Sequence, residues 1–143
     1  MTYQEKIEWL RQYRAAVNRE RLLEGEMETL RSAAQRVTAC LGGMPGAGQD
    51  PARLPKAVEK IEETQKKLEE QVGDCLVRRA EVMRVVAAVA DPAVQEVLRR
   101  RYILGESYAD IADAMGVVLR RVYQIHRAGV MALRLGRPEQ NAS

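Results

Sequence analysis

Aromatic residues are scarce in this sequence. Its 143 residues include no Phe, one Trp and five Tyr, while 46% are hydrophobic and 30% are charged. A large β-sheet core would require more aromatic and β-branched side chains. The abundance of Ala, Leu, Glu and Arg is instead typical of long helices. We therefore predict an all-α fold.

Residues that could bind a metal or carry out catalysis are also few. The two cysteines, Cys40 and Cys75, lack the spacing of metal ligands. His126 is the sole histidine, and we expect it to be packed or half-exposed at the inner edge of a helix. The glycines at 42–48 lack the Lys and the strand of a phosphate-binding loop. The sequence predicts no enzyme activity, no cofactor and no metal site.

Long hydrophobic runs are missing as well. No apolar stretch is long enough to cross a bilayer, and no signal peptide is recognisable. We therefore expect a soluble, cytoplasmic protein without a membrane partner.

Two stretches place apolar residues at alternating steps of three and four, the spacing of a coiled-coil seam. The first seam comprises Trp9, Tyr13, Ala16, Glu20, Leu23, Met27, Leu30, Ala34, Val37 and Leu41. The second comprises Leu54, Val58, Ile61, Gln65, Leu68, Val72, Cys75, Arg79, Val82, Val86 and Val89. A Gly- and Pro-rich loop at 42–53 separates them. We predict helices at about 3–41 and 54–90 that form a long antiparallel, coiled-coil-like hairpin domain over residues 1–90.

Each seam contains charged or polar interruptions. Pairing Leu41 with Leu54 would place Glu20 one layer from Arg79, where the two charges could neutralise each other. Alternatively, both side chains reach solvent.

A second module begins after the hairpin, at Asp91. Asp91 and Pro92 are typical of an N-cap and a first helical position, and Ser107 would cap a further helix. The first predicted helix starts at Pro92, runs through Tyr102 and stops at Gly105; the next two run from Tyr108 to Met115 and from about Val118 to Leu135.

The spacing around Gly116 indicates a helix-turn-helix. Ala112 lies four residues before the glycine, Val122 six after it, and Ile125 three further on. Alanine permits a close helix crossing, glycine adopts positive φ at the turn, and the two branched residues fill the angle between the helices. We predict a three-helix helix-turn-helix module over 91–137, followed by a disordered tail at 138–143.

The last helix has two contrasting faces. At 100° per residue, one face carries Val122, Ile125, Gly129 and Leu133. The opposite face carries Arg120, Gln124 and Arg127, flanked by Arg121 and Tyr123. Such a face suits a recognition helix in the DNA major groove, since Arg pairs with guanine and Gln with adenine. The arginine run 99–101 adds to a basic footprint; the alternative is a merely solvated face.

The C-terminal segment resembles region four of bacterial sigma factors, which reads an upstream promoter element. The residues that carry the resemblance are Val97-Leu98, Arg101-Tyr102, Ile111, Gly116, Val122-Tyr123-Gln124-Ile125 and Ala132-Leu133. With the preceding long helices, the chain is similar to small phage and prophage regulators of the RinA and ArpU kind. Tyr102-Ile103-Leu104-Gly105 and Val122-Tyr123-Gln124-Ile125-His126 carry that closer match.

The resemblance implies base reading by Leu119, Arg120, Tyr123 and Gln124, with Arg121 directed to phosphate. Val118 departs from the family because sigma factors usually place a Ser or Thr cap there. The expected function is a sequence-specific, double-stranded DNA-binding transcription regulator of phage or prophage origin. The alternative is a protein-interaction adaptor that docks on bacterial RNA polymerase or oligomerises through the hairpin without binding DNA.

Apolar residues also lie outside the hairpin seam. They are Ile7, Leu10 and Val17 in the first helix, and the second helix is apolar nearly all round at 82–90; one partner helix cannot cover all of these residues. Either the C-terminal module or a second subunit must pack there. We expect a homodimer, because two-fold symmetry would place two recognition helices on neighbouring half-sites.

Overall fold

The computed structural model describes residues 1–43 and 51–135, with side chains described outside 40–50. Six helices make up this part of the chain: α1 (Tyr3–Leu10), α2 (Gln12–Gly43), α3 (Arg53–Ala87), α4 (Pro92–Tyr102), α5 (Tyr108–Met115) and α6 (Leu119–Ala132). These described residues form no strand, which confirms the predicted all-α class. Most of the predicted loop and the predicted tail at 138–143 lie outside the described residues.

The first predicted helix is interrupted at Arg11. A capping box starts α1, in which the Thr2 side chain accepts from the Glu5 N–H (3.2 Å) and Glu5 accepts from the Thr2 N–H (2.9 Å). Arg11 keeps a near-helical backbone (φ −74°, ψ −10°), and its N–H still donates to the Ile7 carbonyl. The interruption is therefore a local irregularity rather than a change of direction.

Two of the predicted helices end earlier than expected. Helix α3 ends at Ala87 rather than at 90, and α6 ends at Ala132 rather than at 135. At the end of α3, the Gln95 side-chain amide approaches the carbonyls of Val86 (3.5 Å) and Ala87 (3.3 Å). The Val86 carbonyl also accepts from the Val89 N–H (3.1 Å), so the Gln95 amide adds to the hydrogen bonding at the end of the helix.

The helices group into two compact units. The first joins Met1–Ala15 to the residues from Leu76 onward, and the second is Ala16–Cys75. Both ends of the predicted hairpin are thus grouped with the helix-turn-helix. The predicted domain boundary at residue 90 stays a prediction.

The second unit is formed by antiparallel segments of α2 and α3. The Gln71 amide donates to the Ala16 carbonyl (3.0 Å), whereas Met27, further along α2, shares a surface depression with Leu68. Between these two contacts the residue number rises along α2, from Ala16 to Met27, and falls along α3, from Gln71 to Leu68, so the segments are antiparallel. Four residues of the predicted α2 seam face inward, since Ala16 and Met27 are buried and Leu23 and Leu30 are half-buried. Coiled-coil packing stays a prediction.

The predicted seam residues Val82 and Val86 of α3 are buried, but the predicted seam is wrong at some of its earlier positions. Ile61, Leu68 and Cys75 face inward as expected, but Val58 and Val72 are 44% and 39% exposed. The inward residues are instead those one position earlier, Ala57, Thr64 and Gln71. At two of these positions the prediction chose the more apolar neighbour, Val58 over Ala57 and Val72 over Gln71. Gln71 can occupy the inner position because its amide finds the Ala16 carbonyl.

Of the two charged seam residues, Arg79 is exposed and Glu20 is half-buried. The alternative in which both side chains reach solvent is thus met by Arg79 but only in part by Glu20. Within the second unit, an ion pair joins Arg19 to Asp74 (3.7 Å). Exposed pairs of this kind contribute little to stability.

The core of the first unit shows which residues pack against the apolar side chains of α1 and of the C-terminal end of α3. Helix α1 contributes Ile7 and Leu10, and α3 contributes Val82 and Val86. They pack against residues of the C-terminal module, namely Leu98, Tyr102, Ile103, Val130 and Leu133. The C-terminal module therefore covers Ile7, Leu10, Val82 and Val86, whereas Val85, Ala88 and Val89 line an open groove.

Candidate nucleic-acid interface

Local signals in the sequence position the three helices of the C-terminal module. The Asp91 carboxylate accepts from the Ala93 N–H (2.9 Å), and the Ser107 hydroxyl accepts from the Asp110 N–H (3.1 Å). Both predicted caps are thus confirmed. Gly105 and Gly116 adopt φ of 72° and 67°, the left-handed region that favours glycine. The predicted positive φ at the Gly116 turn is confirmed.

A small apolar core holds α5 against α6. Its buried members are Val97, Ile111, Ala112, Val122 and Ile125, with Met115 and Val117 half-buried beside them. These include every residue that the sequence spacing assigned to the inside of a helix-turn-helix. The angle between the two helices is therefore set by the side chains that the motif predicts.

Helix α4 crosses α6 closely at a glycine. A Cβ atom built on Gly129 would lie 2.5 Å from Cγ1 of Val94. The sequence placed Gly129 on the inner face of the helix but did not identify what it touches. The close approach requires a residue without a side chain, because Val94 is β-branched and rotates little.

The outer face of α6 carries all six predicted DNA-contacting residues. Leu119, Arg120, Arg121, Tyr123, Gln124 and Arg127 are all exposed. Within the described residues, the side chains of Arg120, Arg121 and Gln124 make no hydrogen bond or ion pair. Val118 caps the helix with its backbone and makes no side-chain cap hydrogen bond, as its residue type predicts.

Two of these exposed residues are positioned by neighbouring aromatic rings. The Tyr123 ring centroid lies 4.9 Å from that of Tyr108 in α5. The Arg127 guanidinium lies 5.3 Å from the Tyr3 ring centroid in α1. Helix α1 therefore reaches the edge of the outer face, a contact that the sequence did not reveal.

His126 lies buried beneath this face. Its Nε2 atom is 2.6 Å from the Tyr102 hydroxyl and 3.4 Å from the Tyr108 hydroxyl. Burial, together with the positive charges of Arg101 and Arg11, lowers the pKa of His126 from 6.5 to about 4. Burial likewise raises the pKa of Tyr102. The histidine is therefore neutral at physiological pH and is a packing residue.

The arginine run 99–101 contributes less to a basic footprint than the sequence suggested. Arg100 pairs with Glu96 and Glu106, each at 3.1 Å. Arg101 donates to the Glu106 carbonyl (3.0 Å) and lies 4.3 Å from the Tyr108 ring centroid. Both guanidinium groups are engaged within the fold. The sequence could not show this, because Glu106 approaches them only after the chain turns at Gly105.

No described helix is long and apolar enough to span a membrane. The described His, Cys, Asp and Glu residues form no group of three or more that could hold a metal ion.

Comparison with known families identifies the C-terminal module. Residues 91–135 match the family model of sigma-70 region 4, and this match covers 45 of the 143 residues. No curated protein and no solved structure matches the chain. The module is thus a helix-turn-helix similar to sigma-70 region 4, which agrees with the predicted resemblance. The closer similarity to phage regulators of the RinA and ArpU kind stays a prediction.

Proposed function

We propose that this protein is a sequence-specific, double-stranded DNA-binding transcription regulator that reads the major groove with α6. The division of α6 into two faces carries this proposal. Val122, Ile125 and Gly129 are buried, while the opposite face presents arginines and a glutamine without any acidic residue. The sigma-70 region 4 match of residues 91–135 supports the same function.

The exposed side chains suit two kinds of DNA contact. Arg120 and Gln124 lie one helical turn apart, and both can pair bidentately with base edges, Arg with guanine and Gln with adenine. Arg121 and Arg127 lie to either side, where phosphates flank the groove. Leu119, which is 40% exposed, and Tyr123 can contact thymine methyl groups.

The packing of α6 against the rest of the first unit favours precise reading of bases. Its inner face contributes Val122 and Ile125 to the core beneath α5, and Val130 to the core shared with α1 and α3. A helix held by two cores changes its orientation little, so its exposed side chains keep a fixed spacing. Recognition sites on such rigid elements are more accurate than those on loops.

The cellular setting follows from the function. A bacterial transcription regulator works where the chromosome lies, so we propose a cytoplasmic location and, from the resemblance, a phage or prophage origin.

RNA polymerase is a further partner to be tested. A homodimer stays a prediction, now supported only by the geometry of palindromic sites. Sedimentation of the full chain at roughly tens of micromolar measures it directly.

Selection of duplexes from a randomised library by the full chain tests the proposal. Arg120→Ala and Gln124→Ala should each lower the preference for the selected site over random duplex by about 1–3 kcal/mol at fixed salt. Arg21→Ala and Gln35→Ala, at exposed positions on α2, are the matched controls and should bind like the wild type. If both α6 variants keep the wild-type preference for the selected site over random duplex, α6 does not read the major groove.

A second candidate function rests on the exposed apolar residues at the start of α6. Val118 is 71% exposed and Leu119 40%, and such residues also suit a protein surface. An adaptor of RNA polymerase would bind polymerase but no duplex by itself. If the purified full chain fails to bind any duplex at moderate salt yet is retained by polymerase, this second function replaces the first.

A further inference from the structure

A small pocket opens beside the exposed face of α6. Its volume is about 280 Å³, and α1, α5 and α6 line it. Helix α1 contributes Tyr3 and Gln4, Arg11 follows directly after α1, and α6 contributes Tyr123 and Arg127. The last two belong to the outer face of α6, so the pocket lies at the edge of the proposed DNA interface.

Positive charge dominates this pocket. Arg11 and Arg127 both line it, and none of its lining residues is acidic. Arg101 lies directly behind, with its guanidinium 4.3 Å from the Tyr108 ring centroid. The positive charges of Arg11 and Arg101 also help to lower the pKa of the neighbouring His126. The local potential therefore favours an anion.

The other lining groups and the size narrow the ligand class. The Gln4 amide can donate a hydrogen bond, as can tyrosine hydroxyls and the guanidinium groups. Pockets for drug-sized molecules typically measure about 300–1,000 Å³ and are mainly apolar. This smaller, polar and basic pocket suits a single compact anionic group.

Helix α1 is held in place independently of any ligand. The Lys6 ammonium donates to the Met131 carbonyl of α6 (2.8 Å), and Ile7 and Leu10 are buried in the core of the first unit. Arg11 follows directly after this anchored helix and is exposed. Its guanidinium is thus presented beside α6 by a rigid support.

We propose that this pocket binds a phosphate of the DNA backbone, with Arg11 supplying a contact from outside the region 4 match. This inference rests on the proposed DNA-binding function. It extends the interface from residues 91–135 to the N-terminal helix. The N-terminal segment therefore takes part in DNA binding as well as in folding.

Salt-dependent binding of the full chain to a random 30-bp duplex tests the contact. Arg11→Gln should weaken binding roughly tenfold, as expected for a charge-assisted hydrogen bond. It should also reduce the slope of log affinity against log salt by about 0.9, the change for one phosphate contact. Arg11→Lys keeps the charge and should retain most of the slope. Arg21→Gln, on the exposed surface of α2, is the control and should behave like the wild type.

Ethylation interference on a duplex selected by the wild type locates the phosphate. One phosphate should interfere when ethylated with the wild type but not with Arg11→Gln. Gln4→Ala, at an exposed position of the same pocket, should weaken interference at that same phosphate. This second variant tests the pocket without removing a charge.

The outcomes separate this inference from the proposed function. If the wild type binds duplex while Arg11→Gln, folded by circular dichroism, keeps its affinity, salt slope and interference pattern, the phosphate site is wrong and the α6 assignment stands. If the wild type binds no duplex, the proposed function fails and the phosphate site fails with it.

Discussion

The Tyr102 hydroxyl lies 2.6 Å from Nε2 of His126, joining α4 to α6 in the interior of the first unit. Both side chains are nearly inaccessible, with exposures of 2% and 3%. A buried polar pair of this kind is stable while the histidine is neutral, because a charged imidazolium would have to be desolvated. The pair therefore connects the stability of the module to pH.

Acidification should destabilise the folded protein through His126. The pKa of His126 is lowered to about 4 in the folded state, below its ordinary value of 6.5. The unfolded chain therefore binds a proton more readily, so stability is full above about 6.5 and falls as the pH drops towards 4. Between pH 7.5 and 4.5, urea unfolding should show a loss roughly 2 kcal/mol larger in the wild type than in His126→Gln. Equal losses in the two proteins would contradict this.

Gly129→Ala should destabilise the first unit by about 1–3 kcal/mol, the usual range for overpacking. The new Cβ would overlap Val94, whose branched side chain cannot easily move away. Gly73→Ala in α3 is the matched control. A Cβ there meets no atom within 4 Å, so the gain in helix propensity should stabilise by up to about 1 kcal/mol. Thermal unfolding measures both, and the double variant Gly129→Ala/Val94→Ala should recover part of the loss.

Val118→Ser should stabilise the protein by about 0.5–1 kcal/mol by supplying the cap that α6 lacks. Val118 already has the extended backbone of an N-cap (φ −74°, ψ 152°), and it is 71% exposed, so little apolar contact is lost. Val118→Ala separates capping from the removal of the valine. Denaturant midpoints that do not differ between the Ser and Ala variants would count against the capping explanation.

Met27→Ala should cost about 2–5 kcal/mol, since it removes a buried side chain from the seam of the second unit. Met27 is 3% exposed, whereas Leu22 on the same helix is 74% exposed. Leu22→Ala should therefore change stability by less than about 0.5 kcal/mol. Chemical unfolding of the full chain provides the comparison, and similar losses for both variants would refute the seam.

The helix-turn-helix was predictable because its signals are local. The caps Asp91 and Ser107 act within three residues of themselves, and Gly116 determines the turn through its own φ. The burial of Val122 and Ile125 follows from the period of a single helix. None of these inferences requires knowledge of a distant part of the chain.

The seam of α3 was only partly predictable. Hydrophobicity ranks Val72 above Gln71, yet the glutamine faces α2. The choice between two neighbouring positions depends on the backbone of the other helix, where the Ala16 carbonyl accepts from Gln71. A sequence pattern contains no information about such an acceptor.

Residue type and spacing alone determined the all-α class, the three C-terminal helices and the exposed arginine and glutamine face of α6. The tertiary structure decided that the helix-turn-helix covers the apolar ends of the hairpin, that Arg100 and Arg101 are engaged with Glu106, and that Tyr3 and Arg11 lie beside Arg127. The physical reason is the distance along the chain over which each kind of interaction acts. Helix periodicity and capping act within a few residues, whereas coverage of an apolar surface and the pairing of charges depend on which distant segments pack together.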